Sequence, residues 1–151
     1  MTLWKTITLI FLLIITELTF GQTSCDTLSP DIVKKFDNYS QKKFSKLKNS
    51  KKLDLATAFA IATYFRQKND TLCKQWYAIF LDLGKRRFDA RIKDKELKAS
   101  LLFKVGIAYY YTDNFIQAKS WFLKAVKAKY TSQCLDYYCI KTQEKLGEPI
   151  K

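Results

Sequence analysis

A segment of this chain occurs twice. Tyr64 followed by Cys73-Lys74-Gln75-Trp76-Tyr77 returns 45 residues later as Tyr109 followed by Ala118-Lys119-Ser120-Trp121-Phe122. The tyrosine, the lysine and the tryptophan keep their places, and the other positions change conservatively in size. Repetition at a fixed offset, with helical spacing inside each copy, predicts stacked helix pairs, because one pair alone cannot bury its apolar face. Such an architecture presents a surface to a partner and does not enclose a reaction.

The rest of the chain reads as helix around that repeat. Four glycines, two prolines and 15% aromatic residues argue for compact helices over a turn-rich β fold or disorder. Ser29-Pro30-Asp31 opens the first helix, with Val33, Phe36, Ser40, Phe44 and Leu47 on one face and an end near Asn49-Ser50. A second helix over 53–67 is small or apolar around most of its circumference, which places it between neighbours. Asp70 caps a third, stopped by Gly84. The basic stretch 85–98 forms either a helix of its own or the beginning of the next. Residues 99–111 are strongly apolar, Thr112-Asp113-Asn114 makes a tight turn, and a further helix runs to about Lys127. Thr131 or Ser132 caps a last helix closed by Gly147, with Pro149 beyond. Alternating strand patterns are missing, so the expectation is an all-α fold of about six helices.

Residues 99–132 resemble a tetratricopeptide repeat, a helix–turn–helix unit of about 34 residues. Leu102 stands at the motif's first large apolar position, Val105 and Gly106 at its Leu-Gly pair, and Tyr109 at the aromatic that follows. Phe115 matches the aromatic at the turn, Ala118 and Ala125 the two small positions, and Phe122 the aromatic between them. Tyr130 departs from the pattern, which has proline there. The copy at about 53–83 is degenerate, with Ile61 for the glycine and Phe80 for the second alanine, and 131–147 looks like a capping helix. The resemblance implies antiparallel pairs in a short right-handed solenoid whose first helices line a concave groove. By that implication Lys104, Tyr110 and Tyr111 are candidate partner-binding residues.

Ahead of the fold, residues 6–20 are apolar but for Glu17, and small residues precede Gln22. This predicts a secretory signal peptide over 1–21 and one domain over 22–151. An uncleaved anchor and lipid attachment at Cys25 are the alternatives. Export to a periplasm, a cell surface or the medium permits disulfides among Cys25, Cys73, Cys134 and Cys139. Three pairings exist on paper and the sequence selects none of them.

The net charge is +13, and much of it is concentrated. Lys34, Lys35, Lys42, Lys43, Lys46, Lys48, Lys51 and Lys52 face only Asp31 and Asp37 in their stretch, and Lys85, Arg86, Arg87, Arg91 and Lys93 form a second group. A field of this sign attracts acidic proteins, anionic lipid or anionic envelope polymers. Lys42, Lys43, Lys46 and Lys48 are therefore further candidate partner-binding residues. With no histidine in the chain and no glycine cluster, the usual nucleophile–base pairs, metal ligands and phosphate cradles are missing. No catalytic residue, metal, cofactor or nucleic-acid motif is assigned, and an enzyme is not expected. Trp76 and Trp121 read as core-flanking residues in preference to exposed anchors. The expected function is a monomeric, exported interaction module for an acidic protein. The alternatives are an immunity-type inhibitor of a secreted toxic enzyme, and a binder of anionic envelope lipid or glycan.

Overall fold

A computed structural model describes residues 27–85 and 95–149. The signal segment 1–21, Cys25, and the basic residues Arg86, Arg87, Arg91 and Lys93 lie outside the described residues. Those described form seven helices and no strand: α1 (Pro30–Asp37), α2 (Gln41–Lys48), α3 (Leu55–Gln67), α4 (Leu72–Lys85), α5 (Lys95–Tyr111), α6 (Phe115–Lys127) and α7 (Gln133–Leu146).

Local chemistry sets most of the boundaries. Polar side chains accept the orphan N–H groups at five helix starts: Ser40 from Lys43, Asp54 from Thr57 at 2.7 Å, Asp70 from Leu72 at 2.8 Å, Asn114 from Gln117, and Ser132 from Cys134. Four helices end alike, on a left-handed residue: Asn69, Asp113, Lys129 and Gly147, with φ between 53° and 67°. The next residue donates back across the last turn at each, as Asp70 N–H to Phe65 C=O and Asn114 N–H to Tyr109 C=O, both 2.9 Å. These turns reverse the chain within four residues after α3 and three after α5, making two helical hairpins, α3–α4 and α5–α6.

The hairpins pack through α4 and α5, and α7 lies across α6 and the end of α5. The apolar helix α5 is thereby covered by α4, α6 and α7, and the core runs unbroken through it: Phe103, Val105, Ile107 and Ala108 are all buried. Gly106 is essential to the second hairpin, since a Cβ placed there would stand 2.4 Å from Cε1 of Phe122. The missing side chain thus admits the Phe122 ring, while Ala118 and Ala125 are buried beside it.

Two boundaries depart from the sequence reading. The expected first helix is two helices, which raises the count from about six to seven among the described residues. The chain breaks at Asn38-Tyr39-Ser40, and Ser40, expected on the helix face, is the cap of α2. The bend lets Phe36 and Phe44 both close on Tyr64, at centroid distances of 5.4 and 6.1 Å, with Phe44 also reaching Phe65 and Trp76. An unbroken helix would carry these rings past that shared target. Gly84 does not stop α4, which continues through Lys85. The left-handed conformation that ends the other helices is what terminates a helix, and Gly84 does not adopt it.

Candidate functional site

Helix α2 is a short basic bar. Phe44 is buried and Leu47 half-buried, so the intervening Lys42, Lys43, Lys46 and Lys48 are all exposed. The helix contains no acidic residue. Lys46 and Lys48 at its C-terminal end suit the helix dipole, but Lys42 and Lys43 in its first turn oppose it. Lys43 Nζ sits 3.6 Å from the centre of the Tyr39 ring, which partly offsets that placement. The bar is clamped to α3 by the Phe36, Phe44 and Tyr64 rings and by Asp37, whose Oδ1 accepts from Tyr64 at 2.8 Å and lies 3.0 Å from Lys68 Nζ. Those two partners, Lys68 first, hold the Asp37 carboxyl below the usual carboxylate range. Burial, and then Asp37 itself, push the Tyr64 phenol up.

Lys48 borders two depressions that the sequence did not reveal. One, of about 60 Å³, lies among Gln41, Phe44, Phe65 and Trp76. The other is an open cleft of about 410 Å³ between the end of α2 and α4, lined by Lys48, Asn49, Leu53, Gln75, Ile79 and Asp82. Phe44, in the middle of α2, reaches Phe65 and Trp76 at the first of them.

The groove candidates lie elsewhere and are drawn further inward than the sequence suggests. Tyr111 stacks on Tyr77 of α4, with centroids 5.3 Å apart and planes 11° from parallel. Its hydroxyl is 2.9 Å from that of Tyr138, and Arg66 Nη1 donates to both, at 3.1 and 3.2 Å. One residue each from α3, α5 and α7 thus meets at a single polar knot. Burial opposes the Arg66 charge, but the oxygens of Tyr77, Tyr138 and Tyr111 more than offset it and keep the guanidinium protonated. Tyr110 is half-buried, with Phe115 and Tyr138 rings each 5.4 Å away, and burial raises its phenol pKa. Lys104 lies on the same helix and leans over Phe59 of α3, 5.6 Å from the ring centre.

The tryptophans divide. Trp76 is buried, 3% exposed, against Phe44. Trp121 is half-buried, stacked on Tyr109 at 6.4 Å with Lys124 Nζ 3.9 Å above it. Cys134 is disulfide-bonded. Cys73 and Cys139 are free thiols, half-buried, and burial pushes both pKa values up, which disfavours the reactive thiolate. Among the described residues, no three His, Cys, Asp or Glu side chains come together as a metal site.

Among the described residues the arrangement comprises a cationic bar, a tyrosine knot joined by an arginine, and shallow clefts. No protein-family profile, curated protein or solved structure matches the chain.

Proposed function

We propose that the chain is an exported, monomeric, tetratricopeptide-like interaction module that binds an acidic protein through the lysine face of α2. The single observation that carries this reading is the composition of that face: four exposed lysines, no acid, and two of the lysines in a first turn where the dipole disfavours them. The helix dipole favours Lys46 and Lys48 but not Lys42 and Lys43, whereas an anionic partner favours all four. Phe44, buried against Tyr64, Phe65 and Trp76, seats α2 on the core with its lysines exposed, which suits electrostatic steering of an incoming protein. The adjoining clefts beside Lys48 offer apolar purchase at Leu53 and Ile79.

The short solenoid of antiparallel pairs rests on the two hairpins packed through α4 and α5, and on the way each passes a ring to the next helix. Tyr77 of α4 stacks on Tyr111 of α5, and Phe122 of α6, its counterpart 45 residues on, stacks on Tyr138 of α7. Within the groove, Tyr110 and Lys104 remain the contact candidates, since Tyr111 already spends its hydroxyl on Arg66 and Tyr138. Export is supported by the leader-like segment 1–21 and by the Cys134 disulfide, which belongs in an oxidising compartment.

The test is a pull-down from the native envelope fraction at two salt concentrations, followed by association kinetics with the captured protein. Reversing Lys42, Lys43, Lys46 and Lys48 to glutamate is expected to slow association by at least about tenfold and to flatten its salt dependence. Association rates that do not respond to the reversal would remove the reading.

A further inference from the structure

The outward side of α6 carries a second, chemically different surface. Ala118, Phe122 and Ala125 face the core, whereas Ile116 is 73% exposed, Leu123 49% and Val126 50%. At 100° per residue these three fall within about 80° of the helix circumference, so they form one strip. Lys119 falls within this arc, Lys127 and Lys124 lie beside its Ile116 edge, and α6 contains no aspartate or glutamate. One of the three is partly neutralised: Lys119 pairs with Glu148. Trp121 lies half-buried under Lys124 on the opposite side of the helix, stacked on Tyr109.

We propose that this face of α6 seats on an anionic lipid surface. Ile116, Leu123 and Val126 enter the boundary between headgroups and acyl chains, and the lysines meet the lipid phosphates. Exposed apolar side chains with a cationic edge are the chemistry that a charged membrane recognises. Attachment is peripheral, since no helix among the described residues is long and apolar enough to cross a membrane. A second copy fits poorly, because α6 carries no acidic residue to meet the lysines of another copy. The α2 face differs in kind: its exposed side chains between Gln41 and Lys48 are lysines and polar residues with no apolar strip. The two surfaces share no residue, so either proposal stands or falls without the other.

The experiment uses the chain from residue 22 onward, which contains every described residue, and a variant carrying Ile116→Ser, Leu123→Ser and Val126→Ser. Each is sedimented with vesicles of phosphatidylglycerol and phosphatidylethanolamine, and with vesicles of phosphatidylcholine alone. The parent is expected to bind the anionic vesicles at least about tenfold better than the neutral ones. The serine variant keeps every charge and is expected to lose roughly tenfold or more of that binding. Equal helicity and melting temperature show that the variant is folded, and Lys124→Glu with Lys127→Glu supplies a second variant with the strip intact and the same expected loss. Undiminished binding by the serine variant, or equal binding to both vesicle types, overturns the proposal. So does a parent that ignores vesicles but dimerises through the strip.

Discussion

Tyr77 lies face to face with Tyr111, and Tyr111 shares its hydroxyl with Tyr138 and Arg66, so four helices meet through one pair of rings. The stack joins the first hairpin to the second, and the hydroxyl joins the second to α7. Tyr77 is wholly buried, so Tyr77→Ala is expected to cost about 3–5 kcal/mol in urea unfolding. Tyr111→Phe keeps the stack and removes the shared oxygen, for about 1–2 kcal/mol. A double cycle with Tyr138→Phe should show clear non-additivity, and strict additivity would mean that the two hydroxyls act separately.

Gly106 is where the second hairpin closes on the Phe122 ring. Gly106→Ala places a methyl inside that ring, which is itself held between Phe103 and Tyr138 at 5.9 Å each. The gain in helix propensity is under about 1 kcal/mol, and the overpacking costs about 1–3 kcal/mol, so a net loss is expected. A higher melting temperature in this variant would show that the ring has room to yield.

Asp37 ties α1 to α3, and its pKa lies below the ordinary 3.8 because Lys68 and Tyr64 stabilise the charged form. The unfolded chain therefore binds the proton more readily between the two pKa values, and stability rises with pH across that window. The contribution is complete above about pH 4 and is lost as pH falls through the folded value. Asp37→Asn is expected to flatten the acid limb of a stability–pH profile without altering its neutral slope.

The free thiols offer a fourth check. Burial raises both Cys73 and Cys139, so neither should react quickly with iodoacetamide near pH 7, and the rate should climb only at alkaline pH. Rapid alkylation of either at neutral pH, in the folded chain, would contradict the packing around it.

What the sequence made legible was the part governed by local rules. The hairpin turns were visible because Asn69-Asp70 and Asp113-Asn114 combine a left-handed residue with a cap, and these are short-range requirements. Helices α3 and α5 were visible because each is apolar over a long run. The break between α1 and α2 was hidden, because Val33 to Leu47 fits one helical face as well as two. Only the position of Tyr64, far along the chain, decides it. The candidate groove suffered the same way. Three successive tyrosines required one to face outward, but nothing nearby signalled that Arg66 and Tyr138, 72 residues apart, would close over Tyr111. The strip on α6 escaped notice because Ile116, Leu123 and Val126 look like core residues until the burial of Ala118 and Phe122 fixes which side is inside.

Helix α5 is walled by α4, α6 and α7 and keeps almost no side for water, so it belongs to both hairpins at once. Neither hairpin is then a detachable piece. Shortening the chain before α7 would leave Phe103, Tyr110, Tyr111 and Phe122 without the ring they all touch, Tyr138. The molecule should accordingly come apart in one step on heating, and an evolutionary gain or loss of a helix at that end would have to repair the exposed wall before any new surface could be used.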